Sequence, residues 1–414
     1  MEDKKLIAGI DLGSSKISVT IGDYKDGEID IKGYGMEESV GIRGGVVVDL
    51  KAAAECISKV VKKAEDKTGI EISSVFVGIS GQHIQSANNE GKIVMPTDQE
   101  EIEIQHLKEV ISKAKTPLPS LGMEVLHVLP SEFILDGVEG IKVPVGLFGK
   151  ELKVKLTSMT GLTTAIQNAT RCVNLAGLDV EQIILNMIAT GEAVLYSEEK
   201  DLGVGLIDIG AHLTSIAVYK GEYPIYSSAL PYGGENLSRD IATHFHITMK
   251  KAEEINKNHG VSLRYLLDDN KEIHIESNNK SPKANPKTIT RLELAEVIEE
   301  KCERVVSNIL KRVENFLPSM GSGIVLTGGT SNLLGIKEMM EEKIGLPVRI
   351  GKIRPGLISN LSNIETDLSP YTTSLGLIAY GYRLRNKGKY SPWEKENAYD
   401  KTAGKIINWI KNFF

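Results

Sequence analysis

The chain has 414 residues, of which 41% are apolar and 25% charged, as is usual for a globular protein. This composition excludes a globally disordered chain, a collagen-like fibre and a disulfide-stapled mini-protein. The net charge of −6 provides no whole-chain basic field, so no nucleic-acid partner is expected. The three cysteines are far apart and lack metal-ligand spacing, which predicts a reducing cytoplasm. Neither an export signal nor a membrane-spanning segment is predicted.

Two segments of the chain repeat one pattern. Residues 7–22 read IAGIDLGSSKISVTIG and residues 204–219 read VGLIDIGAHLTSIAVY, so that Asp11 and Asp208 are 197 positions apart (208 − 11). Each segment predicts a buried strand, an Asp-x-Gly turn and a second strand. A third strand and a helix follow each copy, with the helices near 50–68 and 235–246. The repetition predicts two related α/β domains in tandem.

Further elements are predicted between and after the two copies. Strands are predicted at 74–80 and 323–327, and helices near 101–114, 291–316 and 334–344. Residues 84–158 have strand and helix signals of their own and interrupt the first α/β unit. Residues 268–288 are polar and predict an exposed hairpin or a mobile loop, and residues 386–400 predict a linker.

The two Asp-x-Gly turns have the chemistry of a phosphate site. A turn rich in glycine and serine exposes backbone N–H groups to phosphate oxygens, and Ser14, Ser15 and Lys16 add hydroxyl donors and a cation. An aspartate at the strand end can hold the waters around Mg²⁺. One such turn alone favours a plain hairpin with a solvated aspartate, because Asp-x-Gly is common, but two copies facing a cleft favour a nucleotide site. The Gly-Gly pairs 328–329 and 233–234 each precede a helix, where either a nucleotide contact or a plain turn is compatible with the sequence.

The last fourteen residues, KTAGKIINWIKNFF, predict an amphipathic helix. Its apolar face would consist of Ile406, Ile407, Trp409, Ile410, Phe413 and Phe414. Lys405 and Lys411 lie beside this face, and the segment contains no acidic residue. This pattern is typical of a helix that lies in a membrane interface. A terminal helix docked on the core is the alternative. One such helix binds lipid weakly, and polymerisation would add avidity.

In this order, the motifs resemble those of the actin-like ATPase superfamily and, within it, the bacterial FtsA family of cell-division proteins. The resemblance rests on IDLGSSKISVTIG, LGVGLIDIG, LPYGGENLSRDIA, GIVLTGG and SPYTTSLGLIAYGY, and it extends over essentially the whole chain. It implies an α/β, actin-like (ribonuclease H-like) fold of two lobes with ATP and Mg²⁺ in the cleft. It also implies an FtsA-type inserted subdomain and a C-terminal amphipathic helix.

The resemblance divides the chain into five parts. Residues 1–83 and 159–202 would form the first lobe, which about 370–385 would complete, and residues 84–158 would form the inserted subdomain. Residues 203–369 would form the second lobe, including a small subdomain at about 235–310. Residues 386–400 would be a flexible linker and residues 401–414 the membrane-targeting helix.

The resemblance also assigns residues to the nucleotide site. The first phosphate loop would be formed by Asp11, Gly13, Ser14, Ser15 and Lys16. The second would be formed by Asp208, Gly210, Ala211 and His212. The sugar and phosphates would be approached by Gly233, Gly234, Glu235 and Asn236, with Glu253 and Asn256 near the ribose. The adenosine would be bordered by Gly328, Gly329 and Thr330, with Glu303 reaching the base. Asp11 and Asp208 would hold Mg²⁺ through water.

One departure from the family pattern concerns hydrolysis. Relatives usually have a second turn of the form Asp-x-Gly-Gly-Gly, whereas this chain has Ala211 and His212 after Gly210. The lost glycines restrict the backbone, so ATP hydrolysis is expected to be weak or absent, and enzyme status stays open. Glu192 is the candidate residue for orienting an attacking water, and a surface glutamate at a helix start is an equally good interpretation.

By resemblance, the function is that of a filament-forming adaptor in cell division. The small subdomain would bind the C-terminal tail of the tubulin-like protein FtsZ, and residues 84–158 would serve self-association and later division proteins. The C-terminal helix would bind anionic lipids at the cytoplasmic face of the cell membrane, at the division site. The alternatives are an actin-fold kinase or chaperone-type ATPase, and a pilus-assembly actin-like adaptor.

Overall fold

The computed structural model describes residues 6–96, 100–115, 120–275, 287–360 and 367–385. These residues form an α/β structure with three main sheets, two of five strands and one of four. The linker predicted at 386–400 and the amphipathic helix predicted at 401–414 lie outside the described residues.

The first part of the chain forms most of one five-stranded sheet. Its elements are β1 Leu6–Leu12, β2 Lys16–Lys25, β3 Glu28–Glu38, β4 Ile42–Arg43, β5 Val46–Val47, α1 Leu50–Thr68 and β6 Ser74–Ile79. β1 pairs antiparallel with β2 and parallel with β6. Helix α1 confirms the helix predicted near 50–68. The Asp49 carboxylate accepts a hydrogen bond from Ala52 N at its start, and Gly69 ends it with a φ of 67° that favours glycine.

The next segment forms a separate sheet with its own core. Its elements are β7 Gln85–Val94, β8 Glu100–Glu101, α2 Ile104–Ala114, β9 Met123–Leu135, β10 Val138–Ile141, β11 Phe148–Gly149 and β12 Glu151–Leu162. β10, β9, β12 and β7 lie side by side in that order, and all adjacent pairs are antiparallel. Buried apolar residues of α2, including Val110 and Ile111, pack with Phe133, Leu152 and Val154 of the sheet. We call β7–β12 with α2 the inserted unit.

The chain then returns to the first sheet. The elements are α3 Thr163–Leu175, β13 Asp179–Leu185, α4 Asn186–Val194 and α5 Ser197–Leu202. β13 pairs parallel with β6, which gives the strand order β13-β6-β1-β2-β3. β1 therefore lies in the middle of its sheet, and nearly all of its residues are buried.

The remaining elements begin with the second copy of the repeated pattern. They are β14 Val204–Ile209, β15 Thr214–Tyr219, β16 Pro224–Leu230, α6 Gly234–Phe245, α7 Met249–His259, β17 Glu272–Ile275, β18 Lys287–Thr290, α8 Arg291–Val313, β19 Ile324–Thr327, α9 Ile336–Ile344, β20 Val348–Ile350 and α10 Thr372–Arg385. The second five-stranded sheet has the order β16-β15-β14-β19-β20. β14 thus occupies the central place that β1 occupies in the first sheet.

Of two predicted elements, one helix is shorter in the structure, and one polar region has the strand pairing of a hairpin. Helix α8 ends at Val313, three residues before the predicted end, because a short 3-10 segment containing Pro318 follows it. In the polar region predicted at 268–288, β17 and β18 pair antiparallel, as a hairpin requires, and residues 276–286 lie outside the described part of the chain.

Helix α10 returns from the second sheet to the first. The Thr20 and Ser374 hydroxyl groups form a buried hydrogen bond of 2.7 Å between β2 and α10. Gly376 faces the backbone of α4 so closely that a methyl group would overlap the Ala189 carbonyl oxygen. A helix from the end of the described chain therefore packs against elements of the first part of the chain.

Candidate functional site: the cleft between the two Asp-x-Gly turns

The two aspartates occupy equivalent positions in the two sheets. Asp11 pairs with Ser18 across β1 and β2, and Asp208 pairs with Ser215 across β14 and β15, a spacing of seven residues in both hairpins (18 − 11 and 215 − 208). Each aspartate lies near the end of the central strand of its sheet. The repeated sequence pattern therefore has the same local structure in both copies.

Asp11 is buried, and its carboxylate is fixed by a side chain from another element. Asn186 Nδ2, at the start of α4, donates to Asp11 Oδ1 over 2.8 Å. Burial raises the pKa of Asp11 from 3.8 to about 6, against the lowering effect of Lys16 and Asn186, and Asp208 raises it further. Asp208 belongs to the other sheet, so its effect on the pKa of Asp11 acts across the cleft.

Asp208 is held in the same way as Asp11. Thr327 Oγ1, at the end of β19, donates to Asp208 Oδ2 over 2.8 Å. Burial raises the pKa of Asp208, while Thr327 and Lys16 lower it. Lys16 is thus shared by both carboxylates; burial lowers its pKa, and Asp11, Asp208 and Asp367 raise it. The cleft brings together one cation and acidic groups from both lobes.

The first turn is anchored to its own lobe. Ser14 Oγ accepts a hydrogen bond of 3.0 Å from Gly45 N, and the Ser15 carbonyl oxygen accepts one of 2.9 Å from Ser39 N. Gly13 has no room for a side chain, because an added Cβ would lie 2.5 Å from the Lys16 carbonyl oxygen. The hairpin therefore needs glycine at this position, as the phosphate-loop prediction assumes.

The second turn is joined to the start of α6. Gly234 N donates to the Gly210 carbonyl oxygen over 2.9 Å, and Glu235 N donates to the Ala211 carbonyl oxygen over 2.8 Å. Gly233 N donates to Asn236 Oδ1 over 3.0 Å. The amide groups of residues 233–235 therefore already have partners, so the start of α6 presents no free N–H group from these residues to a phosphate.

His212 contacts a residue that was predicted to lie near the nucleotide. His212 Nε2 lies 2.6 Å from Glu235 Oε2, and Arg239 Nη2 lies 2.7 Å from Glu235 Oε1. His212 Nδ1 is buried and has no hydrogen-bond partner within the described residues. The His212 ring is thus directed toward α6 by its contact with Glu235, and within the described residues one polar atom of the ring is left without a partner beside the turn.

The residues predicted around the adenosine lie on several elements. Thr330 Oγ1 lies beside Gly234, because a Cβ added to Gly234 would be 2.7 Å from this oxygen. A Cβ added to Gly329 would meet open space. Asn256 Oδ1 is buried without a partner in the described chain, whereas Glu253 is exposed on α7. Gly328 has a φ of 89° and lies against the backbone of Ile209, so it links β19 closely to β14.

Two predicted residues are engaged in ion pairs. Glu303 is exposed on α8, where its carboxylate lies 3.0 Å from Lys343 Nζ of α9. Glu192 Oε1 lies 2.8 Å from Lys200 Nζ and 3.2 Å from Arg383 Nη2, in a buried cluster. These contacts are structural: Glu192 is not a surface residue, and none of its contacts supports the predicted orientation of a water.

The site also contains residues that the sequence did not reveal. Asn186 directly follows β13 and Thr327 is the last residue of β19; these two residues hold the two aspartates, and Asp367 adds a third carboxylate near Lys16. The pattern that could have found the first two is a polar residue at the end of a parallel strand of the same sheet, two strands from β1 for Asn186 and next to β14 for Thr327. Asp367 has no such pattern and is brought to the cleft only by tertiary structure.

The donor set fits a hydrated divalent cation and a phosphate. Two carboxylates from opposite lobes are hard oxygen ligands of the kind that Mg²⁺ prefers, and Lys16 is a suitable partner for phosphate oxygens. No cluster of three or more His, Cys, Asp or Glu side chains suited to direct metal binding occurs among the described residues. The carboxylates are therefore suited to hold a cation through its water shell. Among the described residues, every helix is too short or too polar to be a candidate for a membrane span.

The arrangement defines the class of protein. The fold is similar to that of the PilM–PilN type IV pilus biogenesis complex, with a TM-score of 0.62, 15% identity and coverage of 92% of this chain and 98% of that one. It is also similar to MreB5 of Spiroplasma citri bound to ADP, with a TM-score of 0.54, 12% identity and coverage of 93% and 97%. These likenesses and the paired hairpins define a two-lobed, actin-like fold.

The sequence comparisons identify the family. The family model "Cell division protein FtsA" matches residues 205–376, and the model "SHS2 domain inserted in FTSA" matches residues 81–160. The chain is 33% identical to the cell division protein FtsA of Pseudomonas aeruginosa, over 94% of this chain and 92% of that protein. It is 30% identical to FtsA of Escherichia coli, over 99% and 96%. The chain belongs to the FtsA family of cell division proteins.

Proposed function

We propose that this cell-division protein binds ATP with Mg²⁺ in the cleft between its lobes. The observation that carries the proposal is the pair of carboxylates at the ends of the two central strands, the buried Asp11 and the half-buried Asp208, which both interact with Lys16. Asp208 raises the pKa of the buried Asp11, which is unfavourable for two ionised carboxylates without a ligand, and a bound cation would relieve it. Bound ATP would supply the phosphates that Lys16 and the two turns are suited to hold.

Nucleotide binding would control polymerisation more than turnover. The second turn has Ala211 and His212 where the family resemblance implies glycines, and Glu192 is held by Lys200 and Arg383. We therefore propose ATP as a ligand that favours one relative position of the lobes, with weak or absent hydrolysis. Head-to-tail association of such subunits would give an actin-like filament.

The filament would tether FtsZ filaments to the cytoplasmic face of the membrane at the division site. The sequence 401–414 supports this proposal, since its apolar face and lysines are typical of an interfacial helix and many linked tails would bind anionic lipids with avidity. The small subdomain at about 235–310 would bind the FtsZ tail, and the inserted unit would serve later division proteins. Family membership favours this function over a kinase or a pilus adaptor.

The nucleotide part is tested by equilibrium binding of ATP in the presence of Mg²⁺. Asp208→Asn in the full chain is expected to weaken binding at least tenfold, because it removes one of the two carboxylates. Asp201→Asn, at an exposed position on α5, is the matched control and should bind as the wild type does. Equal affinity of the two variants, or no binding by the wild-type chain, would overturn the nucleotide site.

A further inference from the structure

The inserted unit is in contact with the second lobe as well as with the first. β7 forms one edge of the inserted sheet, and β16 forms one edge of the second-lobe sheet. Ser86 on β7 makes two hydrogen bonds to Ser227 on β16: Ser227 N donates to Ser86 Oγ over 3.0 Å, and Ser86 Oγ donates to the Ser227 carbonyl oxygen over 3.0 Å. The Ser86 hydroxyl group therefore forms hydrogen bonds with both the N–H and the C=O of Ser227 at the edge of the second-lobe sheet.

This contact depends on the relative position of the two units. Ser227 is buried, so its backbone N–H and C=O need partners when the edge is covered. A serine side chain is short, and a small displacement of β16 from β7 would break both bonds. The contact is thus made in one relative position of the inserted unit and the second lobe.

A second contact joins the inserted unit to the end of β13 in the first sheet, directly before Asn186. Leu185 N, at the end of β13, donates to His127 Nε2 on β9 over 3.2 Å, and His127 is buried against the ring of Tyr380 on α10. The residue after Leu185 is Asn186, whose side chain holds Asp11. Only a few covalent bonds thus separate Leu185 N, which donates a hydrogen bond to His127, from the Asn186 side-chain amide, which donates one to Asp11.

We propose that the inserted unit is coupled to the nucleotide cleft through Ser86 and His127, so that closure of the lobes around a nucleotide and the position of the inserted unit change together. The inference rests on the proposed nucleotide site. Lys16 of the first lobe and Asp208 of the second interact across the cleft in the same structure that has both contacts, so the contacts belong to the arrangement in which the lobes are together. By linkage, whatever stabilises this position of the inserted unit strengthens nucleotide binding by the same factor.

The test compares two serine variants of the full chain. Ser86→Ala removes both bonds to Ser227 and is expected to raise the dissociation constant of ATP with Mg²⁺ by about two- to tenfold. Ser131→Ala is the matched control, since Ser131 Oγ donates to the Lys155 carbonyl oxygen within the inserted sheet and touches neither lobe through that bond. Its dissociation constant should equal that of the wild type.

A histidine pair tests the second contact. His127→Gln retains an acceptor near the position of Nε2 and should keep ATP affinity close to that of the wild type. His127→Phe retains a ring but no acceptor for Leu185 N and should weaken binding about two- to tenfold. Rescue by glutamine distinguishes the hydrogen bond from the packing of the ring.

Hydrogen exchange gives a readout that a merely structural contact would not change. Adding ATP with Mg²⁺ should slow amide exchange in β16 around Ser227 in the wild type and in Ser131→Ala, and this effect should be lost in Ser86→Ala. If the wild type binds ATP, but Ser86→Ala has the control's affinity and exchange in β16 does not respond to ATP, the coupling is refuted and the nucleotide site stands. A wild-type chain that fails to bind ATP would overturn both.

Discussion

Replacing Asp11 by asparagine should make the nucleotide-free protein more stable. Burial raises the pKa of Asp11 from 3.8 to about 6, so ionisation of this group opposes folding. A difference of about two pH units, at about 1.4 kcal/mol each, corresponds to about 3 kcal/mol at pH 7.5. Asparagine carries no charge and retains an oxygen that can accept the hydrogen bond from Asn186, so it should recover most of that free energy.

The pH dependence follows from the sign of the shift. Below about pH 4 the carboxyl group is protonated in both the folded and the unfolded state, so the variant should have no advantage. Between about pH 4 and pH 6 the unfolded wild type loses its proton first, and the variant's advantage should grow with pH. Above that window the advantage should be constant at its full value.

Urea denaturation of the nucleotide-free full chain between pH 4 and pH 8 measures this difference. Asp66→Asn, at an exposed position on α1, is the matched control and should change the free energy of unfolding little. Added ATP with Mg²⁺ should stabilise the wild type and not Asp11→Asn. A variant that is no more stable than the wild type at pH 7.5, or an advantage that does not vary with pH, would refute the reasoning.

Two further predictions concern the buried contacts of α4 with α10 and α5. Gly376→Ala should lower the free energy of unfolding by about 1–3 kcal/mol, because the added methyl group would overlap the Ala189 carbonyl oxygen. The thermal unfolding temperature should fall accordingly. An unchanged melting curve would contradict the close packing of α10 on α4. Glu192→Gln should lower the free energy of unfolding at pH 7 by about 3 kcal/mol. Burial opposes ionisation of Glu192, but the nearby Arg383 and Lys200 outweigh it and lower the pKa of this carboxyl group from 4.5 to about 2. That stabilisation is present above pH 4.5 and is lost as the pH falls toward 2, so a destabilisation that persists unchanged at pH 3 would contradict it.

The local elements of the fold were predictable because their patterns are local. The Asp-x-Gly hairpins have the same register in both copies, and the predicted helices near 50–68, 101–114 and 235–246 are present as α1, α2 and α6. Alternation, capping residues and apolar spacing act over a few residues, so the sequence alone indicates them.

The partners of the site residues were not predictable in the same way. Asn186 lies 175 positions from Asp11, and Thr327 lies 119 positions from Asp208, so these pairs exist only because parallel strands bring them to one edge. Glu192 was interpreted as either a water-orienting or a surface residue, whereas two cations from α5 and α10 bury it in a cluster. Glu235 was assigned to the nucleotide, and the structure pairs it with His212.

The tether is tested most directly by sedimentation with liposomes that contain anionic lipid, in the presence of purified FtsZ, ATP and Mg²⁺. On a helix formed by 401–414, Trp409 would lie on the apolar face and Asn408 on the opposite face, so Trp409→Glu and Asn408→Glu add the same charge at contrasting positions. The wild type and Asn408→Glu should carry FtsZ down with the liposomes, and Trp409→Glu should leave it in solution. Equal sedimentation of FtsZ with both variants, or none with the wild type, would contradict the tether.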